Sequence, residues 1–98
     1  MKRPFIWAHR GVSALAPENT MTSFQAALNS GADGIELDVH LSADGVPVVI
    51  HDSTLERTTD GTGHVEQILW RDLQQLDAGL WYADAFAGEP IPSLEGIL

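Results

Sequence analysis

The chain has 98 residues, of which 44% are hydrophobic and 19% are charged, a composition typical of one small globular domain or of part of one. Fourteen acidic residues against five basic ones give a net charge of −9, which disfavours long nucleic acids as partners. The chain has no cysteine, so it can form neither a disulfide nor a thiolate metal site.

The N-terminal residues lead into a short apolar run at residues 5–8, too brief for a signal peptide or a membrane span. We therefore expect a cytoplasmic protein with no stable membrane association, and the sequence does not indicate an oligomeric state. The run is rich in β-forming residues and predicts a strand, which ends where His9-Arg10-Gly11 begins a loop.

A helix is predicted after this loop. Pro17-Glu18-Asn19-Thr20 is typical of a helix start, and Gly31 is placed to end the helix. Between them, apolar residues recur at helical spacing at Met21, Phe24 and Leu28.

The period of the pattern changes to two from Gly34 to Leu41, which predicts a strand. Glu36, Asp38 and His40 then share one face, opposite an apolar face. A strand, a helix and a strand in this order are typical of the βαβ unit of a parallel sheet.

A hairpin is predicted next, because Asp44-Gly45 lies between two alternating apolar segments. A two-residue turn centred on these residues would bring residues 46–51 back antiparallel to the preceding strand. The predicted pairs are Leu41 with Val48, Val39 with Ile50, and Asp38 with His51. The Cβ atoms of Asp38 and His51 would then lie about 5 Å apart.

The remaining chain is less regular. A helix is predicted from Ile68 to Leu76 and a helix cap with a first turn over residues 91–98. The aromatic residues Trp70, Trp81, Tyr82 and Phe86 are expected to form the core of this region rather than a cage for a quaternary ammonium group.

Five residues suggest phosphodiester chemistry. Glu36 and Asp38 are spaced about 6.6 Å apart along one strand face, close enough to hold one hard cation such as Mg²⁺, Ca²⁺ or Mn²⁺. His9 and His51 could act as a general acid and base, and Arg10 offers a fixed fork of donors to a phosphate group. Three separate segments bring these groups toward one predicted sheet edge, which favours a site.

Other polar residues have two readings each. Glu18 either orients Arg10 or favours the helix N-terminus by its charge, and Asp52 either holds the His51 ring or ends the hairpin strand. His40 is expected to be structural or solvated, and His64 to be exposed.

The motifs Ala8-His9-Arg10-Gly11, Pro17-Glu18-Asn19-Thr20, Ile35-Glu36-Leu37-Asp38-Val39 and Val49-Ile50-His51-Asp52 together resemble those of the glycerophosphodiester phosphodiesterase family. The resemblance covers essentially the whole chain and continues through Leu55-Glu56-Arg57-Thr58-Thr59, Leu76-Asp77-Ala78-Gly79 and Ile91-Pro92-Ser93-Leu94. It implies an α/β fold, namely the N-terminal portion of a (β/α)₈ TIM barrel of the phospholipase C-like phosphodiesterase type. Residues 1–52 would form the first βαβ unit and hairpin, residues 53–90 a small inserted subdomain, and residues 91–98 the start of the next barrel helix.

The resemblance also implies roles. Glu36 and Asp38 match metal ligands, His9 and His51 the acid–base pair, and Arg10 a phosphate contact. The family cuts a glycerophosphodiester to glycerol 3-phosphate and an alcohol, with attack by water or by the substrate's own hydroxyl. A third metal carboxylate of the family lies on a strand beyond these residues, so we expect weak cation binding and little activity from the 98 residues alone.

Two alternatives remain open. A phospholipase of the same fold would use these residues on membrane lipids, although the sequence offers no basic or apolar patch for a lipid surface. A catalytically silent fragment or binding module would keep the residues without metal binding or turnover.

Overall fold

The computed structural model describes residues 7–11 and 15–98, and Phe5 and Ile6 of the first predicted strand lie outside that range. Its strands and α-helices are β1 (Trp7–His9), α1 (Met21–Asn29), β2 (Gly34–Glu36), β3 (Val39–Leu41), β4 (Pro47–Val49), α2 (Trp70–Leu73) and α3 (Leu94–Ile97). Short 3₁₀ turns span Val65–Gln67 and Asp84–Phe86. None of the helices in this part of the chain is long and apolar enough to cross a membrane.

β1 and β2 form the predicted parallel pair, joined through α1. Their register places His9 beside Glu36. The backbone N–H of Arg10 donates to the Glu36 carbonyl at 2.6 Å, extending the pairing one residue beyond the strand. The βαβ unit thus brings the two predicted catalytic segments together at the carboxyl ends of both strands.

The start of α1 is fixed by its cap, as the sequence predicts. The Thr20 hydroxyl accepts from the Ser23 N–H at 3.2 Å and donates to the Pro17 carbonyl at 2.7 Å, which satisfies one of the free donors of a first helical turn. The helix ends at Asn29, and Gly31 follows at a φ of +89°.

The single strand predicted from Gly34 to Leu41 is wrong: the structure divides it into β2 and β3. β2 pairs with β1, whereas β3 pairs with β4 in a separate two-stranded sheet. Leu37 and Asp38 lie between them, where the chain changes partners. The polar face therefore does not run through one continuous sheet.

The β3–β4 hairpin forms as predicted, but the predicted register is wrong by one residue. Val39 pairs with Val49 and Leu41 with Pro47, whereas the two-residue turn had placed Val39 opposite Ile50. The predicted pairing of Leu41 with Val48 fails for the same reason.

The cause is a three-residue loop. Ser42 and Val46 close the hairpin, since the Ser42 N–H donates to the Val46 carbonyl at 3.0 Å, and the Gly45 N–H turns back to the Ser42 carbonyl at 3.0 Å. Gly45 has a φ of +80°, as expected after a tight turn in a loop of this length. The Ser42 hydroxyl, which donates to Asp44 and accepts from the Val46 N–H, fixes this arrangement.

The shift separates two predicted site residues. The Ile50 N–H donates to the Asp38 carbonyl at 3.0 Å, so Asp38 lies opposite Ile50 and not opposite His51. The expected cross-strand contact between Asp38 and His51 is therefore wrong.

A closed aliphatic cluster, here called the hairpin core, lies behind β4. Its members are buried and come from β4, the segment after it and the approach to α3: Val48, Ile50, Leu55, Val65, Leu73, Ala78 and Ile91. The expected aromatic core is not found, because Trp81 is 41% exposed and Tyr82 and Phe86 are only half-buried. Trp81 forms an edge contact with Tyr82, which in turn contacts Phe86. Trp70 alone of the four aromatic residues is among the half-buried side chains packed against the hairpin core.

The second half of the chain is tied to the first by hydrogen bonds. The Val49 N–H donates to the Pro92 carbonyl at 2.9 Å, and the Thr22 hydroxyl donates to Glu89 at 2.8 Å. The predicted helix from Ile68 to Leu76 is shorter in the structure, which has α2 only over Trp70–Leu73. The Ser93 hydroxyl caps α3, as predicted. The division at residues 52 and 90 remains a prediction, although the hairpin core runs continuously across both positions.

Candidate functional site

A sharp turn at the end of β1 positions Arg10. Its φ is +58° and that of Gly11 is +80°. The Arg10 carbonyl accepts from the Asn19 N–H at 2.9 Å and from the Ser23 hydroxyl at 3.0 Å. A side chain at Gly11 would overlap Ser23, so the turn packs directly on the start of α1. The backbone of Arg10 is thus fixed between a strand end and a helix start.

The Arg10 guanidinium lies between two carboxylates. Its Nε is 3.3 Å from Asp38 Oδ2, and its Nη1 is 3.4 Å from Glu18 Oε2. The Nε proton has no aligned hydrogen-bond partner although the atom is buried. Arg10 is therefore held by charge more than by directed hydrogen bonds, which leaves donors for a further anion.

Asp38 is also held by Asn19, for which the helix-start and family-like motif Pro17-Glu18-Asn19-Thr20 indicated no contact with the site. The Asn19 amide donates to Asp38 Oδ2 at 3.1 Å, and Asn19 itself is 3% exposed. Its φ of +54° is uncommon for a residue other than glycine. Its buried Oδ1 has no hydrogen-bond partner. The only sequence signal for this role is that asparagine tolerates the left-handed conformation.

His51 contacts its neighbour Asp52. Nδ1 of the ring lies 2.8 Å from Asp52 Oδ1, and because an ionised carboxylate can only accept, Nδ1 carries the proton. Nε2 is then the ring nitrogen left to exchange a proton with a ligand. The His51 carbonyl contacts His40 Nε2 at 2.8 Å, which gives His40 the structural role expected of it.

Arg57 connects two of these carboxylates, although its motif in the sequence did not indicate a role for it. Its guanidinium donates to Asp52 from Nε at 2.9 Å and from Nη2 at 3.0 Å, and to Glu18 from Nη1 at 2.8 Å and from Nη2 at 2.9 Å. No local pattern could reveal this, because Glu18 is 39 residues away along the chain.

These contacts shift the ionisation of the cluster. The hydrogen bonds of Arg57 hold the pKa of Glu18 below its ordinary value, against the desolvation that raises it. Hydrogen bonds from Arg57 and then from His51 lower the pKa of Asp52. Hydrogen bonds to Glu18 and then to Asp52 raise the pKa of Arg57. Both carboxylates are therefore ionised near neutral pH.

The sequence from residue 9 to residue 98 matches the model of the glycerophosphoryl diester phosphodiesterase family. The chain belongs to this family. It is 50% identical over 92 residues to the glycerophosphodiester phosphodiesterase of Caldanaerobacter subterraneus, with 94% of this chain and 38% of that protein covered.

Solved structures of the family agree with the fold. The glycerophosphodiester phosphodiesterase of Agrobacterium tumefaciens matches with a TM-score of 0.92 at 52% identity, over 94% of this chain and 40% of that one. A phosphodiesterase of Oleispira antarctica, solved with the product sn-glycerol-3-phosphate, also gives 0.92 at 46% identity, over 96% of this chain and 38% of that one. The chain thus spans about 40% of the length of the relatives it matches.

The candidate site residues are taken together here under the name strand-end site. Its members are the seven residues singled out from the sequence: His9, Arg10, Glu18, Glu36, Asp38, His51 and Asp52. Ion pairs and hydrogen bonds link five of them through Arg57, while His9 and Glu36 are neighbours in the register of β1 and β2. His64 is exposed, as expected.

The donor chemistry of Glu36 and Asp38 fits a hard divalent cation, because both offer only carboxylate oxygens. Glu36 is exposed, and its carboxylate makes no hydrogen bond or ion pair with the described part of the chain. Asp38 uses Oδ2 toward Arg10 and Asn19, and its Oδ1 has no hydrogen bond or ion pair with the residues that the structure describes. Within residues 7–11 and 15–98, however, no three acidic or histidine side chains are grouped closely enough to bind a metal by themselves. The pair can supply part of a coordination shell.

Proposed function

We propose that the protein containing this chain hydrolyses glycerophosphodiesters to glycerol 3-phosphate and an alcohol, a reaction of lipid and glycerol metabolism. The observation that carries the proposal is the continuous set of contacts from His51 through Asp52, Arg57 and Glu18 to Arg10, found in a member of the glycerophosphoryl diester phosphodiesterase family. The product bound to the Oleispira relative supports the same substrate class.

Arg10 is proposed to bind the phosphate. Its guanidinium sits at the carboxyl end of β1, where the parallel pair opens toward a ligand, and it retains donors after its contacts with Asp38 and Glu18. A phosphodiester carries one negative charge, which a half-buried guanidinium can hold with bidentate geometry.

His9 and His51 are proposed to move the two protons of the reaction. One ring takes a proton from the attacking hydroxyl as the new bond to phosphorus forms. The other gives a proton to the oxygen that leaves with the alcohol, so no charged alkoxide is released. Attack by water gives glycerol 3-phosphate directly, whereas attack by the substrate's own hydroxyl gives a cyclic phosphate that a water molecule must then open. The Asp52 contact at His51 Nδ1 leaves Nε2 for this transfer.

Glu36 and Asp38 are the residues proposed to hold a divalent cation, Mg²⁺, Ca²⁺ or Mn²⁺. When bound, such an ion would offset the negative charge of the phosphate oxygens. Two carboxylates leave most coordination positions to other ligands, so we propose that further ligands come from the part of the protein beyond this chain.

The same proposal concerns the fold of the whole protein. The parallel β1–β2 pair and the match to about 40% of each solved relative support a (β/α)₈ barrel whose first strands are provided here. A barrel of this kind has about 250 residues and carries its site at the carboxyl ends of the strands.

The direct test measures glycerol 3-phosphate release from glycerophosphocholine by the full-length protein, before and after treatment with EDTA. We expect release that EDTA abolishes and that added Mg²⁺ or Ca²⁺ restores. Release that persists in EDTA would remove the cation role of Glu36 and Asp38. If glycerophosphocholine and glycerophosphoethanolamine both remain intact while phosphoinositide or sphingomyelin vesicles are cleaved, the enzyme is a phospholipase instead. If none of these substrates is cleaved, the protein is a catalytically silent binding module.

A further inference from the structure

Arg57 makes an unusually complete set of contacts for an exposed arginine. Four of its N–H groups donate to two carboxylates, in two bidentate forks of 2.8 to 3.0 Å, one to Asp52 and one to Glu18. The planar guanidinium suits this geometry, which a single ammonium group cannot reproduce. One cation therefore holds two carboxylates that come from different parts of the fold.

The backbone around Arg57 is anchored in the hairpin core. Leu55 is fully buried, and its carbonyl accepts from both the N–H of Thr59 at 3.1 Å and the hydroxyl of Thr59 at 2.7 Å. Thr58, the next residue after Arg57, is also buried. The side chain of Arg57 thus starts from a fixed turn even though its tip is exposed.

Each carboxylate that Arg57 holds also contacts a residue proposed to take part in the reaction. Asp52 Oδ1 accepts from both Arg57 and His51 Nδ1. Glu18 Oε2 accepts from Arg57 and lies 3.4 Å from Arg10 Nη1. Arg57 is therefore linked to the His51 ring through Asp52, and to the Arg10 guanidinium through Glu18.

The charges show what its removal would do. Arg10 and Arg57 together face three carboxylates, those of Glu18, Asp38 and Asp52. Without Arg57, the largely buried Glu18 would keep its charge with Arg10 as its remaining partner, and the field at Arg10 would become less favourable to a phosphate. Asp52 would lose the fork that fixes the oxygen facing His51.

We propose that Arg57 is a positioning residue of this site, which orients His51 through Asp52 and keeps Arg10 available to the substrate phosphate by neutralising Glu18; the proposal rests on the function proposed above. A purely structural salt bridge at 44% side-chain exposure would contribute little to folding and nothing to the chemistry. The two readings therefore differ in kinetics rather than in stability.

The test uses the full-length protein with Arg57→Gln, Arg57→Lys and, as a matched control, Arg71→Gln. Arg71 is 80% exposed and forms only a distant pair with Asp72, at 3.9 Å. We expect Arg57→Gln to lower kcat about tenfold and to raise KM about threefold. Arg57→Lys restores the positive charge, so KM should return toward the parent value. It cannot form two bidentate forks, so kcat should stay low. Arg71→Gln should match the parent.

A second measurement does not depend on turnover. Nitrogen-15 chemical shifts of the His51 ring report which nitrogen carries the proton, and we expect the Nδ1–H form in the parent and a mixture of both forms in Arg57→Gln. Parent kinetics in Arg57→Gln, or reduced kcat with unchanged His51 shifts, would overturn the proposal. If Arg57→Gln does not fold, a Lys variant with parent kcat would overturn it equally. A parent protein that releases no glycerol 3-phosphate refutes the function proposed above, whereas the ring shifts still decide whether Arg57 orients His51.

Discussion

In the hairpin core, Leu55 and Leu73 are completely buried, whereas in the strand-end site His51 keeps 44% of its side chain exposed. The hairpin core is held by apolar contact on all sides. The strand-end site is held by a chain of ion pairs and hydrogen bonds at the open end of a two-stranded sheet. The difference suggests that substitutions in the hairpin core change stability, and that substitutions in the strand-end site change chemistry.

The largest expected effect is on the chemistry. In the full-length protein, His51→Ala should lower the rate of glycerol 3-phosphate release by roughly 10²- to 10⁴-fold, because it removes a general acid or base. The melting temperature should stay near that of the parent, since the ring is exposed. His64→Ala, at another exposed histidine, is the control. Release within a few-fold of the parent would exclude His51 from the reaction.

A substitution in the hairpin core should have the opposite result. Leu73→Ala removes a fully buried side chain and should lower the free energy of unfolding by about 2 to 5 kcal/mol, measured by urea denaturation of the full-length protein. Leu80→Ala, at a leucine that is 50% exposed, should cost less than about 0.5 kcal/mol. At temperatures where Leu73→Ala is folded, its kcat should match the parent. A reduced kcat there would break the separation between the two regions.

Features that depend on neighbouring residues could be predicted from the sequence. The cap at Thr20, the strand end at His9 and the hairpin at Asp44-Gly45 each depend on a few neighbouring residues, and each is present in the structure. The register depended on the loop type, which the Asp-Gly pair does not specify. The Ser42 hydroxyl fixes the three-residue loop, and with it the register, because it donates to Asp44 and accepts from the Val46 N–H.

The members of the strand-end site were predictable as residue types, but their connections were not. Motif spacing identified Arg10, Glu18 and Asp52, and it could not show that Arg57 joins the last two, because that contact depends on how the hairpin core places a turn from residues 55–59. The predicted aromatic core was wrong for a related reason. Large aromatic side chains are usually buried, but aliphatic side chains fill the core of this region.

Two glycines with the same φ, one beside the strand-end site and one in the hairpin loop, differ in their surroundings. Gly11 and Gly45 both have a φ of +80°, but a Cβ at Gly11 would overlap the Ser23 side chain, whereas one at Gly45 would meet nothing within 4 Å. Gly45→Ala should therefore cost only the left-handed conformation, about 1 kcal/mol. Gly11→Ala should cost roughly 2 to 4 kcal/mol, because Ser23 must also move.

Urea denaturation of both glycine variants measures these costs, and KM for glycerophosphocholine measures the effect on Arg10. Gly11→Ala should raise KM, since the Ser23 hydroxyl holds the Arg10 carbonyl, and Gly45→Ala should leave KM unchanged. Equal destabilisation by the two substitutions would show that the turn at Gly11 adjusts more freely than the structure indicates.

The smallest expected effect concerns acid stability. The pKa values of Glu18 and Asp52 are lowered in the folded protein by Arg57, so their contribution to stability is complete above about pH 5, where both groups are ionised in the unfolded chain as well. It is lost as the pH falls through the lower folded-state values, because the unfolded chain then binds protons that the folded site does not. Since Arg57 is 44% exposed, we expect less than about 1 kcal/mol in total.

This contribution can be isolated by comparing the parent with Arg57→Gln in urea denaturation at pH 7, 5, 4 and 3. The difference in unfolding free energy should be constant from pH 7 to 5 and should shrink toward pH 3, because the unfolded chain binds protons there that the folded parent, with Glu18 and Asp52 held ionised by Arg57, does not. Arg71→Gln should differ from the parent by the same small amount at every pH, because its pair with Asp72 is exposed on both sides. A difference for Arg57→Gln that does not shrink in acid would mean that Arg57 stabilises the fold by packing, and that its pairs with Glu18 and Asp52 contribute nothing to stability.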